Sequence, residues 1–252
     1  MLDRITPVIL TRNEQPNLAR TLGQLTWARE VIVVDSESTD ETPQIARSFP
    51  NVRLVTRRFD DLATQWTFAV AQVTTEWMLT LDADYFVPEA FTRELASLAP
   101  DADVSGYESS FLYAIAGRPL RATLYTPRAV LLRTARATFY MDGHTQRVLV
   151  DGRVLPLRER LIHDDRKPLR AFIARQRKYM RDEAAKLRTA NPRTLNGPAR
   201  LRRLRVVAPL VIVPYLLFAR GLILDGRAGL HYAFERFLAE AILSAELFRR
   251  GR

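Results

Sequence analysis

Val31-Ile32-Val33-Val34-Asp35-Ser36-Glu37-Ser38-Thr39-Asp40-Glu41-Thr42 is the stretch that decides the fold. A short β-branched run stops at an acidic residue and gives way to small polar ones. A buried parallel strand reads this way at its carboxyl end. The pattern recurs on both sides. Residues 5–10 are apolar apart from Thr6 and Pro7, and residues 77–81 form a third apolar run that stops at Asp82. Helical patterns lie between: 17–25, with Leu18, Leu22 and Leu25 on one face; 39–48, where Ser38 or Thr39 would serve as the cap; and 63–73. The alternation predicts an α/β fold with a parallel, doubly wound sheet. In such sheets ligands bind beyond the carboxyl ends of the strands, where Asp35 and Asp82 fall.

Farther along, short strands are predicted around 109–113, 129–132 and 147–150. Asp151-Gly152 reads as a hairpin turn with Val154 and Leu155 on the return strand. From Pro168 the pattern turns helical, with Leu169, Phe172, Ile173, Tyr179, Met180 and Leu187 near one face. Residues 191–198, with two prolines and a glycine, predict a loop. Residues 206–224 are the most hydrophobic stretch, nearly long enough to span a bilayer, but Pro209, Pro214 and Arg220 interrupt it. Together with the amphipathic pattern over 230–248 this favours a helical platform lying in a membrane interface; a helical subdomain packed on the core is the alternative. The expected division is residues 1–165 and residues 166–252.

Charge is unevenly placed. Residues 1–165 carry 18 arginines against 22 acidic residues, a net −4. Residues 166–205 carry 14 basic residues against Asp182 and Glu183, a net +12. Such a block suits anionic headgroups or nucleic acid. Its arginines are interleaved with Leu169, Phe172, Ile173 and Met180, as on an amphipathic helix, which favours an anionic membrane surface over nucleic acid. The chain has no cysteine, which removes disulfides and thiolate metal sites. Residues 1–20 contain Arg12 and Glu14 and no long apolar run, so no signal peptide is expected, and the expected location is the cytoplasmic side.

Leu81-Asp82-Ala83-Asp84 carries the sharpest chemistry. Two carboxylates in an Asp-x-Asp arrangement after a buried strand can approach one hard cation, Mg²⁺ or Mn²⁺, which keeps positions open for substrate phosphates. A capping pair in a loop would read the same way. Asp35, at its own strand end, can accept hydrogen bonds from a base or a ribose.

Taken together, these segments resemble a family 2 glycosyltransferase with the GT-A, Rossmann-like nucleotide-sugar transferase fold. The likeness rests on Ile9-Leu10-Thr11-Arg12-Asn13-Glu14 followed by Asn17-Leu18, on Val33-Val34-Asp35 through Ser38-Thr39-Asp40-Glu41-Thr42, and on Leu81-Asp82-Ala83-Asp84, in that order. It implies that Thr11, Arg12, Glu14 and Asp35 line a nucleotide pocket, that Asp82 faces the nucleotide, and that Asp84 holds a divalent metal whose shell His163 could complete. Gly221-Leu222-Ile223-Leu224-Asp225-Gly226-Arg227-Ala228-Gly229, and Ile162-His163 before a basic helix, resemble the branch that contains lipopolysaccharide-core glucosyltransferases. The chain departs from that branch at Asp142-Gly143-His144-Thr145-Gln146, where the branch has His-Glu, and at Trp66, where it has a basic residue after the glutamine.

The resemblance implies an inverting transfer of a sugar, from a nucleotide-sugar donor (a UDP-sugar by preference) to a glycolipid such as lipopolysaccharide core. The transfer would take place on the cytoplasmic face of the bacterial inner membrane, with the protein peripheral or monotopic there. Asp142 is the expected proton acceptor, with His144 the alternative and a simple turn at Asp142-Gly143 the structural one. Transfer to a polyprenyl phosphate is the alternative reaction. A nucleotidyltransferase would want glycine after the first strand, and residues 10–17 have none.

Overall fold

The computed structural model describes residues 1–142, 145–193 and 195–249, with the side chains of Asp142 and Thr145 excluded. The chain divides into two compact units, Met1–Ala114 with Thr123–Arg166 and Ile115–Ala122 with Lys167–Arg252.

The first unit is a sheet with helices. β1 (Ile5–Thr11), β2 (Val31–Asp35), β3 (Val52–Thr56) and β4 (Trp77–Asp82) are parallel and adjacent in the order β3-β2-β1-β4. The central strands are buried almost throughout, which is why they read as continuous apolar runs. α1 (Leu18–Gly23) follows β1, α2 (Thr42–Arg47) follows β2, and α3 (Leu62–Val70) follows β3, capped by the Asp61 carboxylate, which accepts from Thr64 N at 2.9 Å. α2 starts three residues later than predicted, with no side-chain cap. The two proposed caps are used elsewhere: Ser38 bonds to Asp35, and Thr39 N donates to Asn13 Oδ1. β5 (Tyr85–Phe86) and α4 (Glu89–Ser97) come next, with Phe91 and Leu95 of α4 fully buried one turn apart.

The sheet is mixed, not parallel throughout. β6 (Val104–Ser109) and β9 (Arg128–Arg133) extend it, β9 running antiparallel to both β4 and β6. An apolar run states that a strand is buried and says nothing of its direction. The expected hairpin at Asp151-Gly152 does not form. β10 (Ala137–Asp142) and β11 (Thr145–Val150) pair with each other, whereas β12 (Arg153–Pro156) crosses to the large sheet and runs parallel to β6. Gly152 makes that crossing possible: its φ is +128°, and a Cβ there would stand 2.2 Å from Ser105 Oγ. β7 (Phe111–Ile115) pairs in parallel with β13 (Leu161–His163), and β13 pairs antiparallel with β5.

The second unit contains the short strand β8 (Arg118–Pro119) and the helices α5 (Leu169–Thr189), α6 (Gly197–Arg203), α7 (Val207–Pro214) and α8 (Gly226–Phe248). Of the six apolar residues placed on one face of α5, only Phe172 and Leu187 are buried. The predicted loop 191–198 ends as α6 begins, with Asn196 accepting from Ala199 N at 2.9 Å. A π-helical turn, Tyr215–Ala219, and a 3-10 turn, Leu222–Asp225, separate α7 from α8.

The glycines of the Gly221–Gly229 segment have structural work to do. Gly221 and Gly226 have φ of +72° and +58°, and a Cβ on Gly229 would stand 1.9 Å from Leu222 O. Asp225 accepts from Arg121 Nε at 2.8 Å and from Arg121 N at 3.1 Å. Among the described residues no single helix is long and apolar enough to cross a membrane; Val207–Ala219 and Leu222–Phe248 meet that test only as a pair bent by 75°.

Candidate active site

Strand register brings the acidic residues together. Thr11 is opposite Asp35 across β1 and β2, and Leu10 is opposite Asp82 across β1 and β4. Asp35 and Asp82 therefore flank the carboxyl end of β1, on strands either side of it. Asp35 is only 1% exposed. Its carboxylate accepts from Thr11 Oγ1 at 2.9 Å and from Ser38 N at 2.8 Å, so a buried charge is held by hydroxyl and amide donors.

The loops after β1 and β2 are laced together around it. Asn13 N donates to Ser38 Oγ at 2.8 Å, and Glu14 N donates to Thr42 Oγ1 at 2.7 Å. Asn13 and Glu37 both adopt left-handed φ, 54° and 55°, uncommon for residues with a Cβ and a mark of imposed geometry. Glu14 Oε2 accepts from Asn17 Nδ2 at 2.9 Å, and the same amide nitrogen reaches Asp165 Oδ1 at 3.1 Å. Arg12 is exposed at the mouth of this region.

The Asp-x-Asp turn is pinned from α1. Thr21 Oγ1 lies 2.6 Å from Ala83 O and 2.8 Å from Tyr85 O. Pairing of β13 with β5 puts His163 opposite Tyr85, and His163 Nε2 stands 3.2 Å from Asp84 Oδ2. Aromatic rings enclose the imidazole: Tyr125 stacks on it at 5.1 Å, with Tyr113 at 4.7 Å and Tyr85 at 5.6 Å. The Tyr85 and Tyr125 hydroxyls are 2.7 Å apart.

Electrostatics follow from this enclosure. Burial, then the neighbouring Asp84 carboxylate, raise the Asp82 carboxyl above the usual range. For His163, burial alone would depress the imidazole; Asp84, with Asp82 and Asp165 behind it, overcomes this and holds it above the ordinary histidine value. Burial pushes the Tyr85 and Tyr125 phenols up. A second cation faces the pair. The Arg128 guanidinium lies 4.7 Å from the Tyr125 ring centroid, within the field of Asp82 and Asp84.

Among the described residues no group of three or more histidines, aspartates and glutamates is arranged to hold a metal ion. The Asp84–His163 pair nevertheless fits one. Mg²⁺ and Mn²⁺ are held in phosphate-transfer sites by one or two side chains plus substrate phosphates. The nitrogen that would ligate is Nε2, which faces Asp84; Nδ1, elsewhere on the ring, is buried with no hydrogen-bond partner among the described residues.

The structure thus gathers Thr11 with Asp35, and Asp84 with His163 near Asp82. The Asp142 side chain and His144 lie outside the described residues; the Asp142 backbone ends β10, paired with Thr145. Trp66, where a basic residue was expected, is buried and stacks on Phe139 at 5.4 Å. Basic character reaches that place from the residue after β3 instead: Arg57 Nη1 donates to Gln65 Oε1, and Gln65 Nε2 donates to Ser36 Oγ at 3.1 Å. Tyr85, Tyr125 and Arg128 were missed in the sequence. Tyr85 follows Asp84 directly and could have been flagged by position, whereas Tyr125 and Arg128 lie where no pattern singles them out. A cavity of ≈620 Å³, lined in part by Glu94, Pro156 and Arg158, shares no residue with this cluster.

Residues 6–149 match the family described as Glycosyl transferase family 2. A glycosyltransferase of Rickettsia typhi is 33% identical over 95 residues, 37% of this chain and 31% of that protein. The lipopolysaccharide core biosynthesis glycosyltransferase LpsC of Rhizobium meliloti is 28% identical over 131 residues, 50% of this chain and 47% of that protein. The matches therefore span from under a third to about half of those relatives' length. Among solved structures, the mannosyltransferase PcManGT from Pyrobaculum calidifontis, in complex with GDP-Man and Mn²⁺, superposes with a TM-score of 0.54 at 18% identity, over 98% of this chain and 88% of that one. TarS of S. aureus in complex with UDP-GlcNAc gives 0.51 at 16% identity, over 98% and 91%.

Proposed function

The chain belongs to glycosyl transferase family 2, and on that premise we propose that it transfers a sugar from a nucleotide-sugar donor to a hydroxyl of a membrane glycolipid such as lipopolysaccharide core, inverting the anomeric carbon. The observation that carries this reading is the placement of Asp35 and Asp82 at the carboxyl ends of the strands flanking β1, with the Asp84–His163 pair beside Asp82. The LpsC relative supports the glycolipid acceptor. The solved relatives with GDP-Man and with UDP-GlcNAc support a nucleotide-sugar donor, and a UDP-sugar is the first class to test.

In this reading Thr11, Arg12, Glu14 and Asp35 receive the nucleoside. Asp35 is already fixed by the Thr11 hydroxyl and by the amide and hydroxyl of Ser38, so it meets a ribose or base without having to be ordered first. Asp84 and His163 would hold Mg²⁺ or Mn²⁺ with Asp82 alongside, and the ion would neutralise the diphosphate leaving group. Arg128, beside Asp82, adds positive charge where negative charge accumulates as the sugar–phosphate bond breaks. The acceptor hydroxyl attacks the anomeric carbon through an oxocarbenium-like state, and Asp142 takes its proton. One displacement inverts the configuration.

Membrane association belongs to the same proposal. The second unit carries all of the +12 segment but Arg166, and apolar side chains lie open on it, Leu210 at 71%, Leu224 at 70% and Phe218 at 68%. These features suit a peripheral or monotopic protein at the cytoplasmic face of the bacterial inner membrane. The donor reading is tested with a panel of UDP-, GDP-, CMP- and dTDP-sugars, scored for slow hydrolysis with and without Mn²⁺. One nucleotide sugar turned over only with metal is expected; no turnover of any, with any divalent ion, would overturn it.

A further inference from the structure

The carboxyl ends of α5, α6 and α8 meet at a cavity of ≈490 Å³ within the second unit. Four arginines line it, Arg188, Arg203, Arg205 and Arg249, with Leu187, Leu247 and Phe248 as its apolar wall. Part of this gathering is structural. Helix carboxyl ends are partly negative and leave carbonyls unsatisfied. Arg188 Nη2 donates to Arg249 O at 2.8 Å and to Glu246 O, and Arg203 Nη1 donates to Ala190 O at 3.3 Å.

Capping does not use up the charge. A guanidinium has five N–H donors, and these caps take one or two from each arginine. Arg249 pairs with Glu246 at 3.2 Å, but Arg188, Arg203 and Arg205 have no carboxylate partner among the described residues. Arg202, next in the chain to Arg203, shows the contrast: Glu240 at 2.6 Å and Glu183 at 3.7 Å neutralise it. Arg205 is the most deliberate. Its φ of 63° is one that residues with a Cβ rarely adopt, Ser244 Oγ donates to its carbonyl, and its guanidinium lies 4.9 Å from the Phe248 ring centroid. Around it Leu204, Val206 and Phe248 are more than half exposed, at 60%, 53% and 54%.

We propose that this cavity is a binding site for the phosphate headgroup of an anionic lipid. The phosphate sits between the Arg203 and Arg205 guanidinium groups, whose forked donors match its oxygens, and the acyl chains lie against Leu204, Val206 and Phe248. Free phosphate shares the headgroup's chemistry; the open apolar side chains around the cavity favour the lipid. The site rests on the membrane reading above and sharpens it, from a diffuse basic surface to a discrete pocket.

The test uses full-length protein and phosphatidylcholine vesicles doped with phosphatidic acid. Arg203→Gln/Arg205→Gln is compared with Arg170→Gln/Arg177→Gln, a pair of exposed α5 arginines outside the cavity. The single variant Arg205→Gln is run alongside, because the Arg205 guanidinium makes no hydrogen bond among the described residues and its loss should leave folding intact. A pocket predicts a fall in vesicle affinity of about tenfold or more for the cavity pair, and at least about fivefold more than for the control pair. Equal losses in the two pairs would overturn the site and leave the membrane reading standing. If wild-type protein binds no vesicle at all, the membrane reading and the lipid occupant fall together. In a parallel arm inorganic phosphate is added and thermal unfolding followed. Stabilisation of wild type by phosphate, with no vesicle binding, would reassign the cavity to a soluble phosphate and overturn the proposal as stated.

Discussion

His163 Nε2 and Asp84 Oδ2 stand 3.2 Å apart because β13 pairs with β5, which sets His163 opposite Tyr85 and so beside the Asp-x-Asp turn. The imidazole is held above its ordinary value by Asp84, with Asp82 and Asp165 behind it, in spite of burial. A raised value in the folded state makes the proton a stabiliser below the unfolded value, lost as pH rises through the folded one. Metal-free protein should therefore lose thermal stability as pH rises through the range above ordinary histidine titration. Mn²⁺ needs the neutral imidazole, so its affinity should rise over that same interval. Thermal unfolding and Mn²⁺ titration against pH check both trends, and His163→Gln should flatten both. A Mn²⁺ affinity independent of pH in wild type would remove His163 from the metal shell.

Asp35→Ala should raise the donor KM by about tenfold to a hundredfold, the worth of hydrogen bonds to a charged group, with kcat changed much less. The nucleoside bonds little differently in the ground and transition states, so its contacts appear as uniform binding. Steady-state kinetics on the donor decide it; a normal KM with a collapsed kcat would place Asp35 in the chemistry instead.

Arg128→Gln should slow transfer by about tenfold or more, through loss of a charge-assisted contact at the leaving group. The side chain is exposed, and its interactions are the Tyr125 face and the field of Asp82 and Asp84, so the melting temperature should move less than the activity. Kinetics paired with thermal unfolding separate the two effects. Equal activity in Arg128→Lys and wild type would show that charge alone matters; full activity in Arg128→Gln would exclude the role.

Gly229→Ala should destabilise the second unit by at least about 1–3 kcal/mol, because the added Cβ would stand 1.9 Å from Leu222 O and that carbonyl is backbone. At about 2–4 °C per kcal/mol for a chain of this size, the melting temperature should fall by several degrees. Gly23→Ala is the control: nothing lies within 4 Å of its Cβ position, so it should be neutral or mildly stabilising.

The half of the candidate site around Asp35 and Asp82 was legible because β1, β2 and β4 are buried on both faces, so each run ends visibly at Thr11, Asp35 or Asp82. His163 beside Asp84 was expected from the family resemblance alone: the two meet through the pairing of two short strands far apart in the chain, and no local periodicity encodes a partner. The same blindness produced the hairpin expected at Asp151-Gly152, where β12 leaves for β6. Ser38 and Thr39 looked like caps; Ser38 is bonded back to Asp35 at the end of its own strand, and Thr39 across to Asn13 in the loop after β1. The direction of β9 and the site residues Tyr125 and Arg128 come from a region with no sustained pattern. Phe91 and Leu95, by contrast, have the one-turn spacing that would have announced α4.

The central claim is that Asp84 and His163 hold a divalent ion for the donor diphosphate, with Asp82 beside it. Calorimetric titration of UDP into wild-type protein and into Asp84→Ala, each with and without Mn²⁺, tests it most directly. Wild type should bind UDP at least about tenfold more tightly with Mn²⁺ than without, and Asp84→Ala should lose that gain while keeping its metal-free affinity and a wild-type circular dichroism spectrum. Unchanged Mn²⁺-supported binding in the variant would contradict the account.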